Sequence, residues 1–351
     1  MRLVSSLVVI LLCCSCKKEG HQLTPYQLEV PSHFPAMNIP SDNPLSEEGV
    51  ELGKKLFYDT RLSLDNTISC ASCHDQQHAF SDPERFSKGV NGTPGRRNAM
   101  ALINLGWQNF FFWDGKAGTL EEQILFPVPD PVEMHQEWPE TIEKLWKDKY
   151  YKEQFEMVFR SKVFDKYMVS KAIAQFLRTL ISGSSKYDVM YKIQNGLSLN
   201  SAEQTVQITP EEWAGFDLFN SMNGADCVHC HTGPFMQVQG YRNNGLDDHF
   251  ADRGREEITG NSNDKGKFKT PTLRNIAFTA PYMHDGRFAT LDEVIEHYSS
   301  GIKQSATIDP MMEFSHQGGV HLTSEEKQYL KAFLLTLSDY QFIHNQKFKN
   351  P

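Results

Sequence analysis

The pattern Cys-x-x-Cys-His occurs twice in this chain, as Cys70-Ala-Ser-Cys73-His74 and as Cys227-Val-His-Cys230-His231. Two thiols at this spacing, followed directly by an imidazole, suit covalent attachment of a c-type haem. The cysteines form thioethers with the porphyrin vinyl groups, and the histidine becomes the proximal iron ligand. One copy could be a redox dithiol; two copies predict two covalently bound haem c groups. Whether the two irons are equivalent then decides the chemistry. An open iron face binds small molecules such as peroxide, whereas a closed one stores or relays electrons.

The elements that must position these groups are repeated along the chain. Gly53-Lys-Lys-Leu56-Phe57 precedes the first motif and Gly215-Phe-Asp-Leu218-Phe219 the second. Downstream, Trp113-Asp114-Gly115-Lys116-Ala-Gly-Thr119-Leu120-Glu121 matches His284-Asp285-Gly286-Arg287-Phe-Ala-Thr290-Leu291-Asp292. Phe176-Leu177-Arg-Thr179-Leu180 and Phe333-Leu334-Leu-Thr336-Leu337 close the two halves. Three pairs in the same order argue for a duplicated unit. The predicted fold is therefore mainly α, with two tandem cytochrome c-like haem domains, long loops and little β-structure. The domains are expected at 44–200 and 201–345, with the boundary near 195–208.

Helices are predicted from Ser46, through Val50, Leu52, Leu56 and Phe57, and from Thr209-Pro210-Glu211-Glu212, which combines a capping box with proline at the first helical position. Ala172, Phe176, Leu177 and Leu180, and likewise Leu330, Phe333, Leu334 and Leu337, recur at helical spacing and read as core. The stretches 80–98 and 232–266 read as loops.

Aligning the Asp-Gly repeats exposes a difference. Fourteen residues after Trp113 stands Pro127, and fourteen after His284 stands Tyr298. Proline offers iron no side-chain donor, and tyrosine offers a phenolate. The second haem can thus gain a sixth protein ligand that the first lacks. The alternative is that Tyr298 is a buried aromatic of a helix through Val294, Ile295 and His297; Met311 or Met312 would then be the axial ligand, with Met236 and Met283 as weaker options.

Over residues 44–340 the chain resembles the bacterial dihaem cytochrome c peroxidases and the MauG-like dihaem enzymes. The resemblance rests on both haem motifs, on Phe112-Trp113-Asp114-Gly115, and on Thr270-Pro271-Thr272-Leu273-Arg274-Asn275 leading to Thr279-Ala280-Pro281-Tyr282-Met283-His284-Asp285-Gly286. It implies a peroxidatic haem on Cys70, Cys73 and His74, and an electron-transfer haem on Cys227, Cys230 and His231. It implies that Trp113 lies between the haems, with Gln123 and Glu133 over the open iron. Without it, Glu133 reads as a solvated loop acid and Asn98 as a turn cap.

A carboxylate at Glu133 could take the proton from one peroxide oxygen and return it to the leaving one, while Gln123 orients the peroxide or a water. The resemblance further implies a calcium ion between the haems, held by Asn98 and the carbonyls of Thr279 and Pro281. Amide and carbonyl oxygens with several waters suit such a hard cation.

Two positions bear on subtype. Many dihaem peroxidases hold a loop histidine on the peroxidatic iron until the other haem is reduced; here that position corresponds to Val90. His78 is the nearest substitute in sequence, only four residues beyond His74, and reads as solvent-facing or packing. His135 reads as a group behind Glu133. Tyr298 is the MauG-like residue where many peroxidases carry methionine.

The leading expectation is an enzyme that reduces hydrogen peroxide to water with electrons from a small c-type cytochrome or another redox protein. The alternatives are a MauG-like enzyme oxidising side chains of a partner protein, and a non-enzymatic dihaem electron carrier.

A net charge of −9 with no long basic run argues against a nucleic-acid partner. Residues 1–16 read as a lipoprotein signal peptide: Arg2, the apolar run Leu3 to Leu12, then Cys16 as the lipidated residue. Residues 17–43 read as a tether. The four cysteines left in the mature chain are those of the haem motifs. A location on the periplasmic side of the envelope follows, anchored only by lipid. The resemblance adds a homodimer as a further expectation.

Overall fold

Each half is organised around one close helix crossing. In the computed structural model, which describes residues 22–351, α1 (Glu47–Phe57) precedes the first haem motif and α7 (Pro210–Asn220) precedes the second. Between them lie α2 (Leu120–Ile124), α3 (Trp138–Trp146), α4 (Lys149–Phe159), α5 (Lys166–Arg178) and α6 (Lys186–Gln194). After them come α8 (Glu256–Thr259), α9 (Leu291–Ser300), α10 (Ser324–Leu335) and α11 (Tyr340–His344). The named strands among the described residues are β1 (Tyr241–Arg242) and β2 (Phe268–Lys269), antiparallel, with Tyr241 opposite Lys269. The expected mainly α architecture with long loops is the one observed.

Helix α1 crosses α5, and α7 crosses α10. The repeated glycines are what let these backbones touch. A Cβ added at Gly53 would run into the Ala172 carbonyl, and one at Gly215 into the Tyr329 carbonyl. The helix starts follow their caps. The Ser46 side chain accepts from the Gly49 amide at 3.0 Å, and Thr209 and Glu212 form the reciprocal capping box.

Two apolar cores result. The first gathers Leu52, Leu56, Phe57, Phe80, Phe155 and Phe176; the second gathers Met190, Phe216, Phe219, Ile295, Phe333 and Leu337. Their limits differ from the expected domains 44–200 and 201–345. Helix α6 belongs to the second core, with Tyr187 packed 6.1 Å from Phe333. The C-terminal Phe342 and Phe348 return to the first core, 5.7 and 6.2 Å from Phe80. The polar composition of 195–208 marks a surface segment, and the change of core comes earlier, between Leu180 and Tyr187.

The signal segment and Cys16 lie outside the described residues. Of the expected tether, residues 22–43 pack against the protein. Phe34 is buried, edge-on to Trp107 at 5.5 Å and to Phe235 at 4.8 Å. His33 Nε2 meets Asp188 at 2.6 Å, and Asn43 donates to Glu121 and to the Lys171 carbonyl. A few anchor residues in a Pro-dotted stretch are enough to seat it, and composition averages them away.

Asp188 also receives two hydrogen bonds, at 3.0 and 2.6 Å, from Arg274, which is completely buried. Burial alone would raise the Asp188 carboxyl, but Arg274 and His33 hold it far below the usual carboxylate range.

The crossing makes a direct prediction. Gly53→Val forces a branched side chain against the Ala172 carbonyl and should lower unfolding stability by about 1–3 kcal/mol, read by chemical denaturation with haem content checked.

Candidate haem and active sites

Both haem motifs form the same local turn. His74 N–H donates to the Cys70 carbonyl at 3.0 Å and His231 N–H to the Cys227 carbonyl at 2.9 Å, which brings each imidazole beside its cysteines. The Nδ1–H groups are then taken up by backbone. His74 donates to the Phe80 carbonyl at 2.8 Å, and His231 to the Met236 carbonyl at 3.2 Å. Phe80 and Met236 both have positive φ, 59° and 47°. Each imidazole therefore keeps Nε2 as its free donor, the arrangement a metal-binding histidine needs. Burial pushes both imidazoles down, His231 to about 4, so they remain neutral and able to ligate. None of the four motif cysteines is taken up in a disulfide.

In the second half these groups open onto a cavity of about 2020 Å³, mouth included, lined by Cys227, Cys230 and His231 together with apolar side chains such as Phe219, Ile295 and Leu334. Among the polar atoms of its wall buried without a partner are Arg242 Nε, Thr270 Oγ1 and the acceptor Gln108 Oε1. Paired thiols, a free imidazole nitrogen, apolar walls and unpartnered donors fit a haem with its two carboxylates.

Tyr298 projects into this cavity from α9. Its hydroxyl accepts from Asn244 Nδ2 at 3.1 Å, and burial pushes the phenol up to about 12. Met283, Met311 and Met312 line the same cavity, and Met283 Sδ lies 3.5 Å from the Asn244 amide. The first half starts the equivalent helix in the same way, with Thr119 capping α2 as Thr290 caps α9. It stops at Ile124, short of Pro127, whereas α9 runs on to Ser300. Proline cannot donate the hydrogen bond that would continue the helix.

In place of that helix, the first half has a turn carrying Glu133. Its amide donates to the Asp130 carbonyl at 3.0 Å, and its carbonyl accepts from Val90 N–H at 2.9 Å. Val90 is buried, and the backbone at Gly89 approaches so closely that a Cβ there would strike the carbonyls of Val132 and Glu133. Burial, and next the Asp130 charge, push the Glu133 carboxyl up to about 7, against the opposing charges of Lys116 and Arg96. Gln123 is half-buried on α2. His135 does not stand behind Glu133: it is exposed, because its left-handed φ of 51° turns the chain outward. His78 pairs with Asp75 at 2.7 Å on the surface.

Between the halves, Trp113 and its repeat counterpart His284 meet through one residue. Trp113 Nε1–H donates to the Asn98 carbonyl at 2.8 Å, and the Asn98 amide donates to the His284 carbonyl at 2.8 Å. Asn98 is buried, and its Nδ2 points to the carbonyls of Glu84 and Arg85, both at 3.3 Å. Thr279 and Pro281 line the same cavity as Asn98. Among the described residues no cluster of three or more His, Cys, Asp or Glu is set to hold a metal; the expected calcium donors are amide and carbonyl oxygens. Arg97 fastens this region, paired with Asp114 and, at 2.7 and 2.8 Å, with Asp252.

Comparison with known proteins places the chain in a family. Residues 47–195 match the family model described as di-haem cytochrome c peroxidase. The chain is 32% identical over 376 aligned residues to cytochrome-c peroxidase IdrP1 of Pseudomonas sp. (strain SCT), covering 96% of this chain and 91% of that one. The chain belongs to the di-haem cytochrome c peroxidase family. It is also 30% identical to the methylamine utilization protein MauG of Methylophilus methylotrophus, over 88% of this chain and 86% of that one. Among solved structures it is similar to a MauG-like protein associated with microbial copper homeostasis, with 35% identity, a TM-score of 0.82, and coverage of 93% of this chain and 99% of that one.

As a member of this di-haem family the chain is an oxidoreductase that carries two haem c groups. Sequence reasoning missed Asn244, Lys269 and the Arg97–Asp114–Asp252 cluster. Asp114 was visible as half of a repeated Asp-Gly pair, but nothing local marks Asn244 or Lys269 as facing a cavity.

The surroundings of Glu133 predict opposite shifts for two neighbours. Asp130→Asn should lower the pH at which Glu133 titrates and Lys116→Met should raise it, followed by the infrared carboxyl stretch of the holoprotein.

Proposed function

We propose that this family member is a dihaem c-type peroxidase, reducing hydrogen peroxide with two electrons and two protons to two molecules of water. The electrons come from a protein donor such as a small c-type cytochrome. The observation that carries this reading is the inequality of the halves: a half-buried carboxylate where one helix stops, and a tyrosine where its counterpart continues. When bound, the haem on Cys70, Cys73 and His74 supplies an iron open to peroxide, and the haem on Cys227, Cys230 and His231 supplies the electron entry point.

The chain's own residues do the rest. Glu133 removes the proton from the near peroxide oxygen and hands it to the leaving oxygen, and Gln123 orients the peroxide. Val90 fills the position of a locking histidine and keeps water from the Glu133 turn. Trp113, hydrogen-bonded to Asn98, lies on the electron path between the halves. Tyr298 would help hold the second haem through its phenol oxygen, to which Asn244 donates. Asn98, Thr279 and Pro281 bind calcium at the junction.

The chain is a lipoprotein on the periplasmic side of the envelope, lipidated at Cys16 and able to form a homodimer. Among the described residues no helix is long and apolar enough to cross a membrane.

A second reading, favoured by Tyr298 and by the valine at position 90, is MauG-like oxidation of side chains on a partner protein. Steady-state assay with reduced cytochrome c and peroxide separates the two. Fast turnover supports the peroxidase, and slow turnover with a long-lived oxidised state supports the alternative.

Glu133→Gln should cut peroxide turnover at least tenfold, within the ~10²–10⁴ range of general acid–base catalysis. Wild-type turnover should rise as pH increases through about 7, where Glu133 becomes the carboxylate that accepts the proton; unchanged turnover in the variant points to an electron carrier. The EPR spectrum of the protein as isolated should contain one high-spin ferric haem, and two low-spin six-coordinate haems would refute the open face.

A further inference from the structure

Lys269, in β2, is only 5% exposed and stands in the wall of the cavity that contains Cys227, Cys230 and His231. Its backbone is fixed, since its N–H donates to the Trp113 carbonyl at 2.7 Å. Its ammonium has no carboxylate partner among the described residues, and the nearby group is the Phe111 ring, with its centre 5.7 Å from the nitrogen.

The charged groups on the surrounding elements are engaged elsewhere. Arg242 pairs with Asp309 at 3.1 Å, and Arg97 pairs with Asp114 and Asp252. Arg255 donates to the Asp114 carbonyl at 3.0 Å and covers the Tyr241 ring. Lys116 sits over Phe112 and Phe126, and His284 stacks on Phe268.

A buried ammonium with no counter-ion is strongly disfavoured, and burial here pulls Lys269 down to about 8. Arg242 Nε and Thr270 Oγ1, in the same wall, also lack partners. Three unanswered donors in one cavity call for a ligand that brings carboxylates into it. A haem brings two.

We propose that Lys269 is the counter-ion of a propionate of the second haem and thereby sets that haem's electron affinity. The inference rests on the second haem occupying this cavity, as in the functional reading above. A fixed positive charge near the iron favours the reduced state, which carries one positive charge fewer. Lys269 is a positioning residue: it acts through the haem edge and touches no reacting atom. It also links electron to proton. As pH rises through its own titration, the ammonium is lost and the haem's hold on its electron weakens.

The test uses the full-length holoprotein, with haem content measured first and the potential of each haem followed by EPR-monitored redox titration between pH 6 and 10. In Lys269→Met, with two haems per chain, the equilibrium between the haems should shift at least tenfold away from the second, about 59 mV for one electron. The first haem's potential should hold steady, and Lys269→Arg should restore most of the shift.

In the unmutated protein the second haem's potential should fall as pH rises through the Lys269 titration, which the propionate charge holds above the value of about 8 of the unpaired ammonium, and this slope should vanish in Lys269→Met. A fully loaded Lys269→Met whose second haem keeps its potential and slope overturns the assignment. So does a pH-independent second-haem potential in the unmutated protein, a measurement that needs no variant. Failure of the unmutated chain to carry a haem on Cys227 and Cys230 would instead refute the underlying two-haem reading.

Discussion

Arg274 holds a full charge where water is excluded, and much of the second half is arranged to make that tolerable. Two of its nitrogens bond Asp188 on α6, and a third donates to the Pro234 carbonyl at 2.6 Å. Pro234 is two residues from Met236, whose carbonyl orients His231. The same Asp188 accepts from the Ser185 backbone at the start of α6 and meets His33 from the N-terminal segment. One ion pair thus joins the chain's beginning, its middle and the loop that aims the proximal imidazole. Breaking such a buried pair by removing one partner costs ~3–5 kcal/mol, because the other charge is left unanswered.

A duplicated unit becomes functionally unequal here with few changes. Both halves keep the helix crossing at a glycine, the capped helix after the Asp-Gly turn, and the carbonyl that fixes the imidazole tautomer. They part where α2 stops and α9 continues. The shorter helix frees room for the turn bearing Glu133, and the longer one carries Tyr298 into the second cavity. That single difference in helix length underlies the division of labour proposed for the two haems.

The interface between the halves is equally economical. Trp113 and His284, equivalent in the repeat, are joined through the backbone of Asn98, and Arg97 next to it ties Asp114 to Asp252. The tryptophan proposed to carry electrons, the proposed calcium donor Asn98 and the arginine of the cross-half ion pairs therefore share the stretch 97–114. Movement of either half against the other would disturb all three together.

The haem motifs, the duplication, the apolar stripes of the main helices and the Pro127–Tyr298 contrast were legible in the sequence, because each depends on residues close together or on a spacing repeated in both halves. The helix starts at Ser46 and Thr209 were of this kind, since a cap acts within one turn of its own helix. The packing of α6 and the C-terminal tail depended on long-range apolar contacts, which local composition does not encode. The seating of 22–43 depended on isolated anchors such as His33 and Phe34. His135 looked like a partner of Glu133 by adjacency, and one left-handed residue sends it to solvent. Sequence alone determined that the chain presents two haem-binding motifs in unequal halves. Only tertiary structure decided which distant groups face those motifs, including the half-buried Glu133, the Asn244 amide and the lone Lys269 ammonium. A side chain's charge and bonding are set by neighbours brought from elsewhere in the chain.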